Sequence, residues 1–290
     1  MNPEDIISFF KQQGYKVIKT GSCWWYNEYR QRRIYYSFPQ HRLILPDNKE
    51  IYGFFRQIPE AFALYFLSPF ESRQGKESYI WVCRRPYDLM RLNANARSKV
   101  RRGMKNCQFR PLKWDELILL AWEAHRDTLM RHGKKSSEIT SLGIHRDLES
   151  CPAYEAWGVF VKEHLAAYAV TLWVEDWVHI LINRSANAYL KFYPNNALIF
   201  NVVQQLLARP GVSTVSYGLE PLCPLETLVH FKLSMGFTKE PVRKRIVLNP
   251  RLKYLLNPIV CRAIETVALF FPRVLCFQRL RSFCRIVRES

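Results

Sequence analysis

Between Trp157 and Asn183 three apolar runs are separated by very short polar turns, and no other stretch limits the fold so strongly. The runs are Gly158–Val161, Leu165–Val174 and Trp177–Asn183; the turns are Lys162-Glu163-His164 and Glu175-Asp176. Connections this short join antiparallel neighbours, because a parallel pair needs a crossover of a dozen residues or more. A polar loop, Arg184–Lys191, follows. Pro194-Asn195-Asn196 then opens a helix that runs to about Ala208, with proline suited to the first turn and asparagine suited to capping. Arg209-Pro210-Gly211 ends it. Val212–Gly218 reads as a buried strand, Leu225–Met235 as a helix stopped at Gly236, and Phe237–Asn249 as a last strand region. The order is three antiparallel strands, helix, strand, helix, strand.

Upstream, Pro86–Met90 begins a helix that continues through Arg102 and ends between Gly103 and Asn106. Cys107–Leu112 reads as a short strand. A long helix follows, capped by Lys113-Trp114-Asp115-Glu116, with Leu117, Leu120, Ala121, Ala124, Thr128 and Leu129 on its apolar face and His132-Gly133 at its close. Near the start, Pro3–Gln13 is a short amphipathic helix ending at Gly14. Aromatic stretches come next: Cys23-Trp24-Trp25-Tyr26, Arg33–Phe38 and Arg42–Leu45, with Asp47-Asn48 read as a turn. Three parts result: a small sheet-containing lobe over residues 1–85, a main domain over 86–250 and a tail over 251–290.

Charge sharpens this division. The net charge is +18. From Arg84 to Lys113 there are ten lysines or arginines against Asp88 alone, and from Arg243 to Ser290 eleven against Glu265 and Glu289. These two stretches hold the whole excess, so a polyanionic partner is expected: RNA, an anionic membrane surface or a phosphorylated ligand. The eight cysteines form no CxxC pair and no regular spacing, which argues against a zinc site or a disulfide framework. They read as small buried hydrophobes in a reducing compartment. The acidic Met-Asn-Pro-Glu-Asp start is unlike a signal peptide, and no run reaches the roughly 18 apolar residues of a spanning helix. A cytoplasmic location is expected, with peripheral attachment to the inner face of a membrane as its variant.

Several motifs in this order resemble the GNAT acyltransferase fold, and in particular its FemAB-like branch, the peptidoglycan bridge-forming aminoacyltransferases and their relatives. Leu92–Cys107 is similar to the family's basic helix leading into a strand, and Arg126–Gly133 looks like the end of the next helix. Phe192-Tyr193-Pro194-Asn195-Asn196-Ala197 resembles the loop and helix start at the acyl-donor position. Tyr217-Gly218 matches a strand end, and His230–Phe237 is similar to the family's Phe-Lys-x-x-(Phe/Met)-Gly-Phe element. The resemblance implies an α+β fold with a mixed, mostly antiparallel twisted sheet flanked by helices. It implies an enzyme that moves an acyl group from acyl-CoA, such as acetyl-CoA, or from aminoacyl-tRNA to an amine. The Gln/Arg-x-x-Gly-x-Gly/Ala signature of coenzyme A binding is absent, which leaves both donors open.

The chemistry asks for the same parts. A helix N-terminus presents unpaired N–H groups and partial positive charge to a phosphate. Phe192, Tyr193, Pro194, Asn195, Asn196 and Ala197 are therefore the expected donor site. Arg97, Arg101 and Lys232 are expected at the substrate. Attack by an amine on a positioned carbonyl needs a base, an acid for the leaving group and oxyanion stabilisation. His179 and Glu220 are the candidate bases and Tyr217 the candidate acid. No metal is expected: His125 and His132 lack further ligands at helical spacing. In the tail, Ile259–Phe271 and Val274–Ile286 form apolar stripes studded with arginines, which suits an anionic membrane, packing on the domain, or tRNA phosphates. The reading that competes with catalysis is a non-catalytic RNA- or membrane-binding protein on a degenerate acyltransferase fold.

Overall fold

The structure, a computed structural model, describes residues 1–28, 31–133, 147–221, 225–252 and 258–270, together with Arg281 and Cys284. In chain order the elements are α1 (Pro3–Gln12), β1 (Val17–Lys19), β2 (Trp24–Glu28), β3 (Gln31–Phe38), α2 (Asn48–Gln57), β4 (Ala63–Ser68), β5 (Lys76–Arg84), α3 (Ala94–Asn106) and β6 (Gln108–Leu112). Then come α4 (Trp114–Leu120), α5 (Trp122–Arg131), β7 (Tyr154–Val161), β8 (His164–Val174), β9 (Trp177–Ser185), α6 (Pro194–Ala208), β10 (Thr214–Leu219), α7 (Glu226–Ser234), β11 (Thr238–Leu248) and α8 (Pro258–Phe270). The chain folds as two compact units, one made of Met1–Ile6, Trp81–Gly218 and Glu226–Thr238, the other of the remainder.

In the first unit the strands lie in the order β10-β9-β8-β7-β6. The three short-turn strands pair antiparallel as expected, β7 with β8 and β8 with β9, and β6 adds to β7 antiparallel. β10 joins β9 in parallel, which α6 makes possible as the crossover. α3 and α6 cover one face of this sheet: Val100, Ala197, Leu198 and Phe200 pack with Val178, Ile180, Val215 and Phe237.

Two helix boundaries differ from the sequence reading. The Asp88 carboxylate accepts from the N–H groups of Met90 (2.7 Å) and Arg91 (3.3 Å), which holds only a single 3₁₀ turn. Leu92 is extended, and Asn93 caps the true start of α3 by accepting from Ala96 N at 2.8 Å. The expected long helix after Lys113 is broken at Ala121 into α4 and α5.

In the second unit the strand order is β1-β2-β3-β4-β11, antiparallel except for the parallel β3/β4 pair. Asp47 does not make a turn. It caps α2, accepting from Glu50 N at 2.7 Å, and α2 delivers Ile51, Phe54 and Phe55 onto Trp25, Tyr35 and Phe66. Lys244 on β11 is 3% exposed, and its ammonium donates to the Glu220 carbonyl. Burial pushes its pKa down to about 8, against the pull of Glu220 and with a further push from Lys76. The unfolded chain binds this proton up to about pH 10.4. Unfolding therefore takes up a proton between those pH values, and the group's contribution to stability rises from pH 8 towards 10.4. Lys244→Met is expected to raise stability at pH 7 and to flatten that rise, as denaturant midpoints at pH 7 and pH 9.5 would report.

The six cysteines among the described residues are free and buried. None of the described helices is long and apolar enough to cross a membrane. In α8, Cys261 and Ala268 are buried while Ile259, Val267 and Phe270 are exposed; the second apolar stripe of the tail lies outside the described residues.

Candidate functional site

Tyr193 is the hinge of the expected donor loop. It ends a 3₁₀ turn over Asn187–Phe192 and is also the residue before α6, with φ 57° and ψ 45°. A tyrosine in the left-handed region is disfavoured by roughly 1–2 kcal/mol, and such conformations concentrate at ligand clamps. No side chain caps α6. The asparagines expected to do so are turned elsewhere: Asn195 Nδ2 donates to Ser185 Oγ at 2.9 Å, and Asn196 Nδ2 meets Met235 Sδ at 3.4 Å. The first N–H groups of α6 thus keep their partial positive charge.

The basic helix α3 is held against this loop by a glycine. A Cβ on Gly103 would lie 2.8 Å from the Tyr193 carbonyl oxygen and 2.9 Å from Ala197 Cβ. Gly103 lies in the last turn of α3, which ends at Asn106 as expected, and it lets two backbones approach. That contact brings Arg102 over the Tyr193 ring at 4.7 Å, with its guanidinium 3.3 Å from the hydroxyl, and Lys99 to 6.0 Å from the same ring. Arg97 and Arg101 lie on the other flank of α3; Arg97 reaches Met90 Sδ at 3.8 Å and Arg101 is exposed. The sequence reading missed Lys99 and Arg102. Their i, i+3 spacing, beside an apolar line of Ala96, Val100 and Gly103, was the signal that marks them. A cleft of about 620 Å³ opens next to this start, lined by Asn93, Lys99, Asn196, His230, Phe231 and Ser234 among others.

The second feature is a split between β9 and β10. Their parallel register runs from Trp177 opposite Thr214 to His179 opposite Ser216 and stops there, although β9 continues to Ser185 and β10 to Leu219. Across the split, Asn183 Nδ2 donates to the Tyr217 hydroxyl at 2.8 Å. Burial pushes the Tyr217 phenol up to about 12, with Asn183 and Arg184 opposing, so it stays protonated at neutral pH. Lys232, 3% exposed, donates to the Tyr217 carbonyl at 3.1 Å and lies 4.9 Å from its ring. The carboxamide oxygens of Asn183 and Asn195 are buried without a partner.

Strand alternation sorts the remaining expected residues. Asn183 and Tyr217 face α6. His179 is in register with Leu172 and Ser216, on the opposite face, stacked on Trp177 at 6.0 Å. It does not share a face with Tyr217. Glu220 belongs to the other compact unit, where its carboxylate is 3.4 Å from Lys239 Nζ. The structure therefore brings together Tyr193–Ala197 with Lys99 and Arg102, and Tyr217 with Lys232 and Asn183. It leaves His179, Arg97 and Arg101 apart from these. No cluster of metal-ligating side chains occurs among the described residues.

No family model and no curated protein matches the chain. Solved structures do. FemX superposes with a TM-score of 0.60 at 11% identity, over 87% of this chain and 92% of that one. A domain assigned as the C-terminal domain of a lysylphosphatidylglycerol synthetase from Agrobacterium fabrum gives 0.57 at 12% identity, over 86% and 88%. L-PGS from Bacillus licheniformis gives 0.54 at 13%, over 85% and 91%. The chain shares the fold of FemX and of these synthetases, an α+β fold with a mixed, mostly antiparallel sheet flanked by helices, as its motif order led us to expect.

Proposed function

We propose that this protein is an N-acyltransferase. It moves an acetyl, longer acyl or aminoacyl group from acyl-CoA or aminoacyl-tRNA to an amine by direct attack. The observation that carries this reading is the uncapped, cation-flanked start of α6 close to the split between β9 and β10. Phosphates of the donor bind at the N–H groups of Asn195 and Asn196 and at Lys99 and Arg102, the Ala197 N–H being already given to the Tyr193 carbonyl. The acyl carbonyl enters the split. The unpaired oxygens of Asn183 and Asn195 accept N–H groups of donor or acceptor, which their orphaned state calls for. Tyr217, protonated and accepting from Asn183, gives its own proton to the leaving thiolate or alkoxide and takes one back from the ammonium formed when the amine attacks.

A covalent thiol intermediate fits the structure poorly. Burial pushes Cys83 and Cys107 up to about 11, so each is a neutral thiol and a weak nucleophile. The shared fold of FemX and the synthetases supports aminoacyl transfer as one form of the reaction, and the name lysylphosphatidylglycerol makes an anionic lipid one source of acceptor. In that case the basic stretches at 84–113 and 243–290 serve the tRNA or the membrane surface.

Thermal-shift titration with acetyl-CoA, longer acyl-CoAs and aminoacyl-tRNA separates the donors. One donor is expected to protect the protein and to be consumed in the presence of amines. The Lys99→Ala/Arg102→Ala double variant is expected to raise the KM for that donor about tenfold or more while leaving kcat nearly unchanged, the pattern of lost uniform binding. Protection by none of them would favour the non-catalytic RNA- or membrane-binding reading.

A further inference from the structure

Among the described residues nothing anionic neutralises Arg184. It follows Asn183 on β9, so its side chain leaves the opposite face of the sheet from α6. There it stands in register with Tyr168, whose hydroxyl is 3.2 Å from His125 Nδ1 on α5. Its Nη1 donates to the carbonyl of the adjacent Asn183 at 3.1 Å. Its Nε is buried and has no partner, and among the described residues no carboxylate lies in ion-pair range of it. Its charge acts on Tyr168, Tyr217 and His132, none of them a carboxylate. Burial lowers its own pKa, as it does that of His132, where Arg184 and Arg131 add their repulsion.

A folded chain does not keep such a group for stability. Arg184 is partly buried, and even partial burial of a guanidinium without an anion is unfavourable, so that an apolar side chain of similar length would be tolerated. Contrast Arg209, which meets Glu155 at 2.6 Å, and Arg110, bound to Glu116. Arg131, on the same side as Arg184, spends its donors on Ser185, Thr128 and Asn187. Arg184 alone of these has its fork left over, at the edge of the split where Tyr217 and Asn183 meet.

We propose that Arg184 binds an oxyanion, a phosphate or carboxylate carried by the acceptor, and so selects amines that bear a negative group. This rests on the acyl-transfer reading above: the donor occupies the α6 face, the acceptor enters from the α5 face, and the two meet at the split. Arg184 is a binding residue in this scheme, and it holds the acceptor so that its amine reaches the acyl carbonyl.

Two measurements test it, and the first needs no donor. Inorganic phosphate, or acetate in a parallel arm, is expected to raise the melting temperature of the parent saturably. The response should shrink in Arg184→Met, where for phosphate only the donor site at α6 is left, and that variant is itself expected to melt no lower than the parent without anion. Arg184→Lys, which keeps the charge and loses the fork, should respond weakly. A parent that responds to neither anion, or an Arg184→Met variant that responds as the parent does, overturns the proposal and leaves acyl transfer standing. The second measurement compares acceptors with the preferred donor. Transfer to 2-aminoethyl phosphate or β-alanine is expected to exceed transfer to ethanolamine at least tenfold in kcat/KM, and Arg184→Met should erase the difference. Whichever of the two acids is preferred tells phosphate from carboxylate. A preference that survives in Arg184→Met overturns the proposal.

Discussion

Tyr217→Phe is expected to lower kcat by about 10²- to 10⁴-fold, the range for loss of a positioned general acid, and to leave the fold intact. The ring stays where it is, edge-on to Phe237 at 5.4 Å and to Phe231 at 6.5 Å. What is lost is one hydroxyl that accepts from Asn183, a change worth about 1 kcal/mol of stability. The pH dependence gives a second check. Because burial pushes the phenol up to about 12, the acid form persists across the working range, and Tyr217 contributes no alkaline fall in rate below about pH 11. The fall would come as pH rises through 12. Steady-state kinetics from pH 6 to pH 10 decide the matter. A variant with parental kcat would remove Tyr217 from the chemistry.

The second large effect is structural. Gly103→Ala should stabilise α3 by about 1 kcal/mol if helix propensity alone acted. The close approach to Tyr193 and Ala197 reverses the sign: the new carbon meets a backbone carbonyl at 2.8 Å, and a backbone cannot rotate away. Gly103→Ala is therefore expected to destabilise by about 1–3 kcal/mol, and Gly103→Val by more, with a raised donor KM because Lys99 and Arg102 move off the loop. Gly53 is the control. It also sits in a helix, α2, but nothing lies within 4 Å of its missing Cβ, so Gly53→Ala should stabilise by about 0.5–1 kcal/mol. Denaturant midpoints for the two alanine variants should shift in opposite directions. A parallel shift would mean that the two helices can slide apart at no cost.

α6 could be placed to the residue because Pro194 fixes φ at a helix start and Arg209-Pro210-Gly211 prevents continuation. The short turns after Val161 and Val174 could only make antiparallel pairs. Pro86–Met90 misled because a single turn, here held by the Asp88 carboxylate, looks the same in sequence as the start of a helix. The helix end between Gly103 and Asn106 was legible, and α3 stops at Asn106; that Gly103 also admits a neighbour is a matter of tertiary contact. The basic residues of α3 were visible as a group. Which of them face Tyr193 depends on which side of α3 is buried, and Ala96, Val100 and Gly103 settle that. Arg184 was assigned to the polar loop after Asn183, whereas β9 extends to Ser185 and carries it into the sheet. An arginine's lack of a carboxylate is a property of three-dimensional neighbours and leaves no mark in the chain.

The first compact unit is assembled from separated segments, and this bears on how it is made. Met235 and Phe237, which are fully buried against Trp81, Tyr87 and Phe200, come from its last piece, Glu226–Thr238. On a ribosome that adds about 5–20 residues per second, everything from Trp81 to Gly218 emerges before the residues that close its core. The nascent chain must wait with an apolar surface uncovered, a natural client for a holdase. A message cut short after Gly218 would encode the whole donor loop and still yield a polypeptide unable to seal it from water.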